Sequence, residues 1–381
     1  MSTIQINFPQ STPMCCPACV WHKGQHADWC PKRSIFMRKV LIDPSGDMIE
    51  IHGTETRRVS SSLVHIGHKV PRFPFPSVLD STMLSSYRDC PQQFFLSYVR
   101  RLSPTDTNPH FNAGGAFAKG LEVARRVFWT YKDSGMQDEL AESHAKTAGL
   151  TSLIKTYGWY EPSEKNRHKT WDRVAAAFAS YMEHYPLSKD HLQVAEWNGA
   201  RMVEFSFALT TPVKNPETGD PIIYGGRPDW IGQFQGQDLY VVDEKTTKYF
   251  TQTWASKWSL RAQLTGYAYA CRAYGIPVNG VVVRGTALKL TEIEHAECIM
   301  ALPQWRLDRW YENTVENIKR MAEDWERNYW HWNLGNACVS YSGCEFQELC
   351  KVRNIEPWIT EEAGLFRENT WNPLSKEDSD D

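Results

Sequence analysis

The 381-residue sequence predicts an α/β fold, a central mixed sheet flanked by helices, with helical insertions and a small Cys-rich module at the N-terminus. Three observations carry this. Short apolar strand-like runs interleave with helical-period stretches from residue 78 onward. Pro228–Phe234 and Leu239–Val242 flank Gln235-Gly236-Gln237-Asp238, which reads as two adjacent strands joined by a tight turn. A knot of cysteines and histidines precedes all of this and shares none of its periodicity.

That knot is Cys15-Cys16-Pro17-Ala18-Cys19 followed by His22, His26 and Cys30. Cys16-x-x-Cys19 is a half-site for tetrahedral Zn²⁺, which Cys30 and His26 (or His22) complete; a metal-free reduced tail is the alternative. Ile35–Ile42 and Met48–His52 flank Asp43–Asp47, a hairpin pattern, and Arg57-Arg58 leads through Pro71–Pro76 into the rest. Residues 1–74 therefore read as an appended module. Asp80–Leu102 reads as a helix with the aromatic stripe Phe94, Phe95 and Tyr98; Phe117–Lys132, Gln137–Thr156 and Trp171–Tyr185 read as three more. Ala200–Leu209 and Pro221–Tyr224 begin the sheet. Trp258–Tyr274 reads as a helix, Val278–Gly285 as an apolar strand and Trp305–Trp332 as a helix rich in Trp and charge. From 351 to 381 the chain loses periodicity; 353–381 reads as a C-terminal tail, with Ser375–Asp381 its mobile acidic end. No internal repeat is visible.

With 41% hydrophobic and 23% charged residues this is ordinary globular protein, not a disordered chain. A net charge of −3 does not announce a nucleic-acid partner, so any basic groove must be local. Sixteen Trp and sixteen Tyr serve mainly the core, though exposed ones are able to stack on unpaired bases. No run of 18 apolar residues exists, and Met1–Ser11 lacks both a basic and an apolar signal region, which predicts a cytoplasmic protein with no membrane association. In that compartment ten cysteines point to metal ligation rather than disulfides. Cys271 and Cys298 lie in helical contexts and read as inert.

The chemistry concentrates in Tyr224–Lys248. Asp229 opens the first strand of the pair, and Asp243 and Lys245 close the second. Two carboxylates on neighbouring strands can meet at one point, with an ammonium two residues along on the same face. Asp and Lys are poor strand residues, rarely buried unless paired or bound to a cation. Hard oxygen donors suit Mg²⁺ or Mn²⁺. An isolated Asp-x-Lys means little, since about one arises by chance in such a chain.

The wider pattern resembles the PD-(D/E)xK nucleases, in particular their RecB-like branch. Gly226-Arg227-Pro228-Asp229, Val241-Val242-Asp243-Glu244-Lys245-Thr246 and Gln263-Leu264-Thr265-Gly266-Tyr267 follow its motifs in order. The resemblance spans residues 78–352 and implies a restriction-endonuclease-like core. It implies that Asp229, Asp243 and the backbone carbonyl of Glu244 hold a catalytic Mg²⁺ or Mn²⁺. Lys245 would orient the attacking water, with Gln263 and Tyr267, one helical turn apart, behind it. One position departs from the pattern: in Gly114-Gly115-Ala116-Phe117-Ala118, Ala118 stands where the branch has a metal-binding His. Either Glu122, one turn on, substitutes, or water fills that coordination position.

A second part of the resemblance concerns Cys90, Cys338, Cys344 and Cys350. Ser81-Thr82-Met83-Leu84-Ser85-Ser86-Tyr87, followed by Cys90-Pro91 and Phe94, is similar to the opening helix of iron–sulfur RecB-like nucleases of the AddB and CRISPR-associated kinds. It implies a 4Fe–4S cluster clamping the two ends of the domain. Thiolates also accept zinc, and spacing leaves that alternative open. The implied function is a metal-dependent DNA nuclease, an exonuclease on single-stranded or frayed ends in repair, recombination or phage replication. The alternatives are a catalytically impaired nucleic-acid-binding protein and a metal-held scaffold without an acidic pocket.

Overall fold

The computed structural model describes residues 73–374 apart from 106–108, 160, 163, 340–342, 353, 361–362 and 370. Residues 109–112, 165 and four N-terminal strands are described by backbone alone. Two units separate at Arg72–Phe73. In the first, Ile4–Ile6, Lys39–Ile42, Met48–His52 and Glu55–Val59 form an antiparallel sheet in chain order. The expected hairpin is present, with its first strand starting at Lys39. Arg57 and Arg58, expected in a connecting segment, lie in a further strand. Cys16, Cys19, His22, His26 and Cys30 fall outside the described residues.

In the second unit the helices are α1 (Ser81–Asp89), α2 (Pro109–Asp133), α3 (Asp138–Tyr157), α4 (Trp171–His184), α5 (Ala262–Ala273) and α6 (Gln304–Arg327). The main strands are β1 (Leu192–Val194), β2 (Phe207–Lys214), β3 (Pro221–Gly226), β4 (Trp230–Phe234), β5 (Asp238–Thr247), β6 (Val278–Leu288) and β7 (Ile293–Ala301). Five form the central sheet in the order β7-β6-β5-β4-β1. Only β5 and β6 are parallel. A parallel pair needs a crossover, and α5 supplies it. β6 is buried along nearly its whole length, as a strand covered on both faces must be, which is why Val281, Val282 and Val283 run consecutively. A smaller sheet joins β2, β3 and Val78–Leu79.

Several expected boundaries move for identifiable reasons. The helix expected over Asp80–Leu102 breaks at Cys90, whose φ of −161° and ψ of 111° are extended. Pro91 clashes with a helical residue before it and drives Cys90 out of the helical region. Asp80 is the N-cap, its carboxylate accepting the Met83 N–H at 2.8 Å. α6 ends at Arg327, not Trp332, because Asn328 takes up the left-handed conformation that terminates helices. α5 starts at Ala262, after a short 3₁₀ turn at Ser256–Trp258. Cys298 sits on strand β7, not in a helix, and Cys271 is buried in α5 as expected. Residues 351–374 are not all irregular: Phe366–Glu368 pairs with Leu102–Pro104. Ser375–Asp381 lies outside the described residues.

The helical layer is set by close backbone approach. α2 and α3 meet at Gly120 and Gly149, where a Cβ on Gly149 would fall 2.6 Å from the Gly120 carbonyl oxygen and 2.7 Å from Phe178. Gly149→Ala is therefore expected to cost about 1–3 kcal/mol, measured as a lower urea midpoint. An unchanged midpoint would contradict this packing.

Candidate active site

β5 is the element that places the chemistry. It runs unbroken from Asp238 to Thr247, so Asp243 and Lys245 lie within a strand rather than at its end. Side chains alternate along it. Asp243 and Lys245 share one face, where the Lys245 Nζ lies 2.7 Å from Asp243 Oδ2. The ammonium is ion-paired to that buried carboxylate oxygen. Glu244 points to the other face, where its carboxylate is held by Arg125 of α2 and Tyr181 of α4. Its side chain is thus not a ligand at the Asp243 site.

Asp229, just before β4, reaches across to β5: its Oδ2 accepts the Glu244 N–H at 2.7 Å. A strand residue presents its N–H and C=O to the same neighbour. The Glu244 carbonyl therefore faces the Asp229 side. The Gly-rich approach to Asp229 has a packing reason. A Cβ on Gly226 would lie 2.6 Å from the Phe207 ring and 3.1 Å from that of Tyr267. Gln263 donates to the Tyr267 hydroxyl at 2.9 Å, and the buried phenol feels both Asp243 and Asp229. The structure thus brings together Asp229, Asp243, Lys245, Gln263 and Tyr267.

Glu122 is engaged by Lys119 (3.2 Å) and Arg126 (3.0 Å). Ala118 is one turn from Gly114 on the same face of α2, and a Cβ on Gly114 would lie 3.6 Å from Thr246 Oγ1. The helix therefore passes the end of β5, but no ligating atom stands at position 118.

Electrostatics mark the site. Burial and repulsion from Asp243 hold the Asp229 carboxyl well above the ordinary range, against the pull of Lys245. Burial likewise raises Asp243, with Lys245 opposing. Burial alone would lower the Lys245 ammonium, but Asp243 and Asp229 outweigh it and keep it protonated. One ammonium between two buried carboxylates leaves negative charge uncompensated, a condition a divalent cation would relieve. Among the described residues no three His, Cys, Asp or Glu side chains form a ready-made metal cage. Two carboxylates and a carbonyl are still a donor set that Mg²⁺, which retains several waters, accepts.

Sequence reasoning missed Glu204. It adopts a left-handed backbone (φ 53°), donates its N–H to the Asp229 carbonyl at 2.7 Å and pairs with Arg227 at 2.6 Å. Burial pushes its carboxyl up to about 7 against the pull of Arg227, with Glu122 adding repulsion. No local sequence pattern marks it.

At the other end of the domain, Cys90, Cys338, Cys344 and Cys350 line one cavity of about 200 Å³. The segment after α6 is drawn there by hydrogen bonds to backbone carbonyls, the Gln92 N–H donating to His331 O (3.2 Å) and the Asn333 side-chain amide to Asp89 O (3.1 Å). Burial pushes the Cys350 thiol up to about 11, and Cys344, Cys90 and Cys338 add to the rise. The four thiols share that lining, but among the described residues no three of them stand close enough together to form a ready metal-binding group.

Residues 81–351 match the model of a family described as the PD-(D/E)XK nuclease superfamily. No curated protein matches. Among solved structures, "Crystal structure of SSO0001" is similar at 15% identity, covering 62% of this chain and 86% of that one with a TM-score of 0.25, a likeness that carries no argument. No helix among the described residues is long and apolar enough to cross a membrane.

The crowded carboxylates generate a stability prediction. Asp229→Asn keeps an oxygen for the Glu244 N–H and removes one of two repelling charges. Chelator-treated Asp229→Asn protein should unfold at higher urea than the parent, by on the order of 1 kcal/mol. A lower midpoint would mean that the repulsion is already relieved.

Proposed function

The chain belongs to the PD-(D/E)XK nuclease superfamily, a family of hydrolases acting on nucleic acids, and on that premise we propose that it is a Mg²⁺- or Mn²⁺-dependent deoxyribonuclease. Its substrates are single-stranded or frayed DNA ends, cut exonucleolytically. The observation that carries this reading is the convergence of Asp229 and Asp243 beside Lys245 and the Glu244 carbonyl. Asp229, Asp243 and that carbonyl would hold the ion, which when bound activates water and polarises the scissile phosphoryl oxygen. Lys245, kept protonated by its carboxylate neighbours, is a donor rather than a base: it orients the nucleophile and offsets charge growing on the phosphate. Gln263 and Tyr267 buttress the site from α5 and offer polar contacts to the scissile strand. Ala118 leaves one coordination position to water, and Glu122, engaged by Lys119 and Arg126, is the weaker candidate for it.

We further propose a 4Fe–4S cluster on Cys90, Cys338, Cys344 and Cys350, with zinc as the competing occupant and a structural role in either case. A Zn²⁺ site of Cys16, Cys19, His26 and Cys30 is proposed from sequence alone.

Cleavage of end-labelled single- and double-stranded DNA with Mg²⁺ or Mn²⁺ tests the first reading. Asp243→Ala should abolish cutting. Lys245→Ala should lower turnover roughly 10²–10³-fold with DNA affinity much less changed, because affinity comes from phosphate contacts spread along the strand. A parent that binds single strands but cuts no DNA or RNA end would make the chain a binding protein instead. For the cluster, anaerobically purified protein should be brown and contain about four irons per chain, and Cys344→Ala should lose both colour and iron. A colourless preparation with stoichiometric zinc would decide for the competing metal.

A further inference from the structure

We propose that Glu204 is a positioning residue for Asp229, gripping the Arg227–Asp229 connection at both its ends, by backbone at Asp229 and by side chain at Arg227. The inference rests on the reading of Asp229 as a metal ligand.

The geometry begins with β4. Asp229 is the residue before that strand, and its carboxylate is aimed by one contact with β5, the Glu244 N–H. A single hydrogen bond leaves the backbone of Asp229 free to swing unless something holds its other side. Residues 202–204 do so. Met202 accepts the Ile231 N–H at 2.9 Å, Val203 bridges Trp230, and the Glu204 N–H reaches the Asp229 carbonyl at 2.7 Å. Arg126 of α2 holds this segment through the Val203 carbonyl at 3.0 Å.

The last of the contacts to the Asp229 strand requires an unusual backbone. A side-chain-bearing residue at φ 53° crowds its own Cβ, and glycine is the residue such a position favours. Glutamate occupies it instead, and its carboxylate, 14% exposed, is spent on Arg227 two residues before Asp229. Strain of this kind persists where surrounding contacts over-determine it, and it gathers at functional sites. A purely structural turn would be served better by a glycine here. What glutamate adds is the second hold, through Arg227, which fixes the rotation of the turn that carries Asp229.

The test separates stability from metal affinity. In Glu204→Gly the strained backbone relaxes while its N–H remains, so the thermal midpoint should be unchanged or higher. Mn²⁺ affinity of chelator-treated full-length protein, followed by electron paramagnetic resonance with Asp243→Ala as background, should fall roughly 10-fold, as for loss of a group that orients a metal ligand. Glu204→Gln and Arg227→Gln leave the backbone alone and should each weaken Mn²⁺ similarly. The double variant should lose no more than either single one, since both cut the same ion pair. Unchanged Mn²⁺ affinity in Glu204→Gly, or a loss that tracks a lower midpoint, overturns the proposal while leaving the metal site standing. A parent that binds no Mn²⁺ above the Asp243→Ala background would remove the metal site itself and this inference with it.

Discussion

The site depends on the two-residue alternation of β5 at Asp243-Glu244-Lys245. Because neighbouring side chains point to opposite faces, the strand can present Asp243 and Lys245 together only if Glu244 is satisfied on the other side. That side is buried, and a lone carboxylate there would be costly. Arg125 and Tyr181 engage it directly, with Arg125 also stacked over Trp230 at 4.5 Å. Arg284 on β6 extends the network to Asp190 and Glu297, at 2.8 and 2.9 Å. The helices α2 and α4 are thereby coupled to the strand that carries the chemistry. A slip of one residue in β5 would exchange the faces and dismantle both networks together.

On the Asp243 face the balance is the reverse. Behind β5 the buried charges are matched; in front, two carboxylates share one ammonium and Glu204 adds a third acid nearby. Local stability is given up there for a field that favours a cation. This is the pattern of a functional site set in an otherwise self-consistent fold.

The two ends of the domain are joined by hydrogen bonds, a strand pairing and an ion pair. Trp371 donates its indole N–H to Asp80 at 2.9 Å, Phe366–Glu368 pairs with Leu102–Pro104, and Arg100 meets Glu356 at 2.7 Å. Trp325 of α6 reaches the Phe73 carbonyl at 2.8 Å. These contacts close loops of more than two hundred residues and hold the start and end of the domain together whether or not a metal is bound.

Much of the fold, and the placement of the candidate residues, was legible in the sequence, because both follow from short-range patterns. The strand–turn–strand at Pro228–Val242, the buried run at Val278–Gly285 and the helices over residues 117–185 show their periods locally. Asp229, Asp243, Lys245, Gln263 and Tyr267 sit at spacings that strand and helix geometry convert into one site. The features decided by tertiary structure are those whose cause lies across the chain. Ile293–Ala301 is a strand because β6 offers it an edge to pair with, and its own sequence alternates too weakly to say so. The ends of the helices near Cys90 and Asn328 depend on backbone conformation at single residues. Arg125 and Tyr181 become partners of Glu244 only once two helices lie on the sheet. Glu204 is the clearest case: nothing adjacent to it in the chain distinguishes it from any surface glutamate. Its left-handed backbone and its hold on the Asp229 turn exist only where residues 202–204 meet the start of β4.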